Sequence, residues 1–212
     1  MSVERTDLYA LPPDLPVPFD DGACDHLPGA EMPRVVLPST AGERVDLAEA
    51  SRLGRTVFFF YPRSGRPDEP PIPGWDDIPG ARGCTPQSCA FRDHFGEFEA
   101  LGVRVFGVSA QDTGYQREFA ERTHLPYPLL SDEKFVLTDA LRLPTFEAGG
   151  MRLIKRLTLV VCAGRIEKVF YPVFPPDKNA EEVLALSRVS KDTLTKRFPF
   201  SSLSLVFVCF VK

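Results

Sequence analysis

The spacing of apolar positions changes several times along the chain, and each change marks an element. "TVFFFYP" (Thr56–Pro62) is an unbroken β-branched and aromatic run, as expected of a central strand buried on both faces. "VRVFGVS" (Val103–Ser109) reads as a second strand, and "RLTLVVC" (Arg156–Cys162) with "RIEKVFYPV" (Arg165–Val173) as a hairpin turning at Ala163-Gly164. Upstream, "RVVLPSTAGERVDLAE" turns at Ala41-Gly42, predicting a further hairpin that leads into a short helix near Leu47–Arg52. Phe91, Phe95, Phe98 and Leu101 fall at i, i+4, i+7 and i+10, one stripe of a helix with Thr85 as N-cap and Pro86 in its first turn. An amphipathic helix follows over Thr113–Arg122, then "LPYPLLSD" and a short helix around Glu133–Leu141, and "PDKNAEEVLALSRV" closes the domain as a helix. The order predicts a three-layer α/β sandwich with a mixed central sheet, parallel on one side and antiparallel on the other, and an N-terminal hairpin extension.

Proline divides the chain further, with 14 of the 21 prolines in the first hundred residues. Residues 1–34 read as an irregular arm, 35–190 as the folded domain, and Arg63–Gly83, with five prolines and four glycines, as a loop inserted between a strand and a helix. A loop of that length in a compact domain usually carries function. Residues 191–212 form an atypical tail whose "LSLVFVCFV" is about half as long as a membrane span requires. The formal charge of −4 is spread along the chain with no basic stripe, so neither nucleic acid nor membrane is an expected partner. The N-terminal residues show no apolar core before a small-residue cleavage site, and five cysteines are too few for a disulfide scaffold. Both point to a reducing compartment, the cytoplasm.

The chemistry sits in "GCTPQSCAFRD" (Gly83–Asp93). Five residues of helix turn by roughly 500° and rise ~7.5 Å, which puts the Cα atoms of Cys84 and Cys89 about 8.7 Å apart. A disulfide needs less than about 7 Å. The pair therefore cannot bond while the helix is intact, but can once its first turn unwinds. Cys84 stands where free N–H groups and the positive end of the helix dipole favour a thiolate. Cys89 lies roughly 160° around the helix from the Phe91 stripe, which argues against a core role.

"FFFYP", "GCTPQSCAFRD", "GVSAQD", "LPYPLLSD" and "KRLTLVV" with "AGRI" resemble, in this order, the motifs of the peroxiredoxins of the AhpC/TSA superfamily, in particular the peroxiredoxin Q or bacterioferritin comigratory protein branch. The resemblance runs from about Arg34 to Ser190 and implies a thioredoxin-like fold. It implies that Cys84 is the peroxidatic cysteine, that Cys89 resolves it as an intramolecular disulfide, and that Arg156 stabilises the thiolate and holds the peroxide, with support from Thr85 and Gln87. A thioredoxin- or glutaredoxin-type dithiol then recycles the disulfide, in a monomer or weak homodimer. No metal, haem or flavin is implied.

The sequence departs from the family at P-x-x-x-T-x-x-C. Ala81 stands where the threonine belongs, Asp77 where the proline belongs, and Thr85 or Ser64 are the candidates to supply the missing hydroxyl. Two other readings follow: a thioredoxin-like thiol–disulfide oxidoreductase without peroxidase activity, and a non-catalytic thioredoxin-fold module that binds a partner protein and keeps its function without Cys84 and Cys89. Cys24 reads as a loop residue, Cys162 as core and Cys209 as incidental. His26, His94 and His124 are too scattered for a zinc site. Trp75 either covers the cysteine pocket or anchors its loop.

Overall fold

A computed structural model describes residues 7–197, with side chains described through Val189. Most of the tail, with Cys209 and the apolar run, lies outside the described residues. The elements in chain order are β1 (Val36–Pro38), β2 (Arg44–Asp46), α1 (Leu47–Arg52), β3 (Arg55–Phe60), α2 (Cys84–Asp93), α3 (Phe95–Ala100), β4 (Arg104–Ser109), α4 (Thr113–Arg122), β5 (Leu129–Ser131), α5 (Val136–Ala140), β6 (Thr145–Ala148), β7 (Met151–Ile154), β8 (Leu157–Cys162), β9 (Arg165–Phe170) and α6 (Asn179–Arg197). Short 3-10 turns occupy Trp75–Asp77 and Pro176–Lys178.

The central sheet has the order β5-β4-β3-β8-β9. β3 pairs parallel with β4 and antiparallel with β8, the mixed sheet expected from the element order. Side chains alternate across β3. Phe58 and Phe60 join Leu47, Leu137 and the arm residues Leu27 and Met32 on one face, while Val57, Phe59 and Tyr61 join Phe91, Phe98, Phe119 and Val183 on the other. Helices α1 and α5 thus cover one face, and α2, α3, α4 and α6 the other. The arm also pairs with the edge strand β9, through Met32 N–H to the Gly164 carbonyl (2.8 Å) and Ile166 N–H to the Ala30 carbonyl (2.9 Å), which removes a free sheet edge.

Three features differ from the sequence-based expectations. The helix expected to run from Thr85 through the Phe91 stripe is two helices, with His94 leaving the helical region (φ −97°, ψ 5°) between them. β6 and β7 form a hairpin over Gly149-Gly150 that the hydrophobic pattern does not reveal. The last helix continues to Arg197, beyond the Ser190 at which the folded domain was expected to close.

The position of α2 is set by aromatic packing. Phe59 stacks on Phe91 at 4.4 Å between ring centroids and 8° between planes, Phe91 stacks on Phe98 at 5.6 Å, and Tyr127 meets Phe59 edge-on at 5.7 Å. Gly107 on β4 makes room for Phe59, since a Cβ there would lie 2.7 Å from its ring and 2.5 Å from Leu129. Replacing Phe91 with alanine removes the centre of this stack and is expected to destabilise the fold by about 3–5 kcal/mol, measured by urea denaturation.

Candidate active site

The inserted loop ends in a left-handed residue, Gly83 (φ +103°), which is the N-cap of α2 and offers no capping side chain. The helix therefore starts at Cys84, two residues earlier than a Thr85 cap would allow, and Thr85 is a buried first-turn residue. Glycine is required at position 83 on two counts. Its φ is unfavourable to any side chain, and a Cβ would approach Pro176 Cγ to 2.3 Å and Leu11 Cδ2 to 2.9 Å. The start of α2 is thus held between the arm and the turn that leads into α6.

Cys84 is a buried free thiol at this helix start. Arg156, immediately before β8, places Nη2 3.2 Å from its Sγ. The same nitrogen donates to the carbonyls of Ala81 (3.0 Å) and Arg82 (3.1 Å), Nε donates to the carbonyl of Gly80 (3.3 Å), and Nη1 donates to Gln87 Oε1. Gln87 in turn donates from Nε2 to Asn179 Oδ1 (3.1 Å), which also accepts from Thr158 Oγ1 (2.6 Å). A guanidinium is charged at every relevant pH, and burying a charge is costly unless it is paired. The other acceptors that bond Arg156 are neutral carbonyl and amide oxygens.

Sequence reasoning brings Cys84, Arg156 and Gln87 together, and the structure does so through direct hydrogen bonds. It did not find Asn179 or Thr158, which hold Gln87 from α6 and β8. Thr85 and Ser64 both lie along the cavity that reaches Cys84. Ser64 is locked to Gln111, its N–H and Oγ both donating to Gln111 Oε1 (2.8 and 3.0 Å). At the position of the motif threonine, Ala81 is fully buried and contributes its carbonyl to Arg156.

Cys89 is half-buried, also free, and five residues further along the intact α2. Burial pushes its thiol pKa up, with Arg92 opposing the effect. The neighbouring turn is pinned by Tyr127, whose hydroxyl donates to the Ser88 carbonyl (2.6 Å). Arg92 and Asp93 form an ion pair (2.9 Å). Cys24, taken from sequence as a loop residue, is buried within the core, and burial with the nearby Asp21, Asp20 and Asp25 pushes its thiol up to about 12. Among the described residues no cluster of three His, Cys, Asp or Glu side chains is placed to hold a metal. No helix among them is long and apolar enough to cross a membrane.

Residues 27–184 match the Redoxin family. A chloroplastic peroxiredoxin Q of Gentiana triflora is 33% identical over 157 residues, which are 74% of this chain and 64% of that protein. The chloroplastic peroxiredoxin Q of Arabidopsis thaliana is 32% identical over 157 residues, with the same coverage. The chain spans about 64% of the length of these curated relatives. Among solved structures, the peroxidoxin BcpB of Mycobacterium tuberculosis superposes with a TM-score of 0.63 at 27% identity, over 77% of this chain and 97% of that one. Xanthomonas campestris peroxiredoxin Q has a TM-score of 0.59 at 22% identity, over 83% of this chain and 98% of that one, a likeness of fold.

Gly83→Ala tests how tightly the helix start is held. Backbone strain alone costs about 1–3 kcal/mol, and overpacking against Pro176 about as much again. The melting temperature of the variant is expected to fall by about 5 °C or more.

Proposed function

Because the chain belongs to the Redoxin family, on its peroxiredoxin Q and bacterioferritin comigratory protein branch, we propose that it is a thiol-dependent peroxidase. The Cys84 thiolate attacks the terminal oxygen of a hydroperoxide. The O–O bond breaks, the sulfur becomes a sulfenic acid, and the leaving alkoxide takes up a proton to depart as an alcohol or water. The first turn of α2 then unwinds, the Cys89 sulfur displaces hydroxide from the sulfenic acid, and water leaves as the disulfide forms. An external dithiol of the thioredoxin or glutaredoxin type reduces that disulfide by exchange. A reducing compartment such as the cytoplasm would supply it, and the chain acts as a monomer or weak homodimer.

The observation that carries this reading is the buried Arg156 guanidinium aimed at Cys84 Sγ at 3.2 Å, at the free N–H groups of a helix start. In the proposed site Arg156 is the thiolate's counter-charge and the donor to the peroxide oxygen, and Gln87 with Asn179 keeps the guanidinium in place. Thr85, buried beside Cys84 along the cavity, is the proposed substitute for the hydroxyl missing at Ala81. That alanine also favours a second reading, a thiol–disulfide oxidoreductase that ignores peroxide.

Stopped-flow measurement of thiol loss with one equivalent of hydrogen peroxide separates the two. Two thiols are expected to vanish rapidly in the parent, none rapidly in Cys84→Ser, and a trapped sulfenic acid is expected in Cys89→Ser. Loss no faster than that of free cysteine would sink the peroxidase reading.

The raised pKa of Cys89 makes a further prediction. Between the ordinary thiol pKa and the raised one, the folded helix binds a proton that the unwound segment releases. Stability of the folded helix therefore falls as pH rises through that window. Disulfide formation from the sulfenic acid is expected to accelerate from pH 8 to 9.5 by more than the ionisation of an exposed thiol alone provides, followed by intrinsic fluorescence after a peroxide pulse.

A further inference from the structure

The arm passes the reactive centre before it turns back along the domain. Among the described residues, the hydrogen bonds that tie Asp7–Asp21 to the body lie at the two ends of this stretch. At the first end the Arg82 guanidinium donates to the carbonyls of Asp7 and Ala10, and the Tyr9 hydroxyl lies beside the Arg122 guanidinium. At the second, Asp21 accepts from Lys155 Nζ (2.7 Å) and from the Tyr171 hydroxyl (2.8 Å). Beyond Asp21 the chain is fixed, with Cys24, Leu27 and Met32 buried in the core and the backbone paired with β9. Between the two ends, Leu8 and Leu11 are half-buried against Gly65 and Gly83, whereas Val17 and Phe19 are exposed.

The first end is anchored on residues that have to move when a disulfide forms. On the intact helix the Cα atoms of Cys84 and Cys89 are about 8.7 Å apart and a disulfide needs less than about 7 Å, so one of them has to shift by roughly 2 Å. Cys89 belongs to the half of α2 that is held, by the Tyr127 hydroxyl on the Ser88 carbonyl (2.6 Å) and by the stack of Phe59 on Phe91 (4.4 Å). The displacement therefore falls on Cys84 and carries Gly83 and Arg82 with it. Gly83 is seated between two walls, since a Cβ there would already lie 2.3 Å from Pro176 and 2.9 Å from Leu11. Pro176 is buried and leads into α6, whose Ala180, Val183 and Leu184 are core residues. Leu11 is half-buried on a stretch held only at its ends, so it is the wall that yields.

We propose that formation of the Cys84–Cys89 disulfide releases the arm between Asp7 and Val17, making it a redox-controlled segment that is latched against the start of α2 in the dithiol state and free in the disulfide state. This rests on the Cys84–Cys89 pairing of the peroxidase reading above and adds a structural output to it. The freed stretch ends before Asp21, whose bonds to Lys155 and Tyr171 do not involve α2. The coupling is reciprocal: the disulfide opposes the latch, and the latch opposes the disulfide to the same extent. A closed latch thus prolongs the life of the sulfenic acid before Cys89 reaches it, and anything that captures the free arm favours the disulfide.

The oxidant for the test is diamide, an azo compound that takes up the two electrons and two protons of a dithiol and becomes the hydrazine, so that the disulfide forms without a peroxide. Chymotrypsin then reads the arm. Brief digestion is expected to cut after Tyr9 about fivefold faster in the disulfide form than in the dithiol form, followed by mass spectrometry as the chain that begins at Ala10. Dithiothreitol is expected to restore the slow rate. By reciprocity, Leu11→Ala is expected to raise the ratio of disulfide to dithiol about threefold at a fixed ratio of oxidised to reduced dithiothreitol. Equal cleavage after Tyr9 in the two forms, with the Cys84–Cys89 bond identified by peptide mass, would overturn this inference and leave the peroxidase reading standing. Failure of that bond to form with either diamide or hydrogen peroxide would overturn the resolving role of Cys89, and this inference with it.

Discussion

Arg156 is buried, and apart from the Cys84 sulfur its hydrogen-bond acceptors are the carbonyls of Gly80, Ala81 and Arg82 and the amide oxygen of Gln87. A guanidinium out of water needs its donors satisfied in one planar arrangement, and this arrangement dictates the path of the chain entering α2. The carbonyls have to turn toward the arginine, which leaves Gly83 in the left-handed region and Cys84 at the first helical position. The thiol's location and its hydrogen bond from Arg156 follow from the same set of bonds.

The rest of the fold brings that set together. Arg156 precedes β8, the antiparallel neighbour of β3, so strand pairing fixes its height beside the end of the strand that leads toward Cys84. The Phe59–Phe91–Phe98 stack fixes the height of α2 above the sheet. Asn179 and Thr158 arrive from α6 and β8 to hold Gln87. Three segments distant in sequence, the start of α2, the start of β8 and the start of α6, meet here within hydrogen-bonding distance.

Much of this was readable from residue patterns because it depends on continuous burial or local geometry. The strand at Thr56–Pro62 announces itself because both of its faces are covered, and the Cys84–Cys89 spacing excludes a bond on an intact helix whatever surrounds it. Features decided by distant contacts were not readable. Thr85 looks like a cap, but Gly83 takes that place because Pro176 and Leu11 press against it from far along the chain. The β6–β7 hairpin buries Leu153 and Ile154 and leaves its other side chains partly or fully exposed, so only the Gly149-Gly150 pair signalled it. Asn179 reads as an ordinary helix-start residue, and its partner Gln87 is 92 positions away.

Arg82 belongs to two assemblies, its carbonyl to the Arg156 cage and its guanidinium to the arm. Because the cage grips consecutive carbonyls from Gly80 to Arg82, the spacing between these residues and Cys84 is fixed, whereas the length of chain upstream of Gly80 is not. Doubling the length of a flexible loop costs only about 0.6 kcal/mol in closure entropy. New sequence can therefore accumulate between β3 and Pro79 without disturbing the sulfur, which makes this junction a point where the fold can acquire a new binding surface while its reactive centre stays as it was.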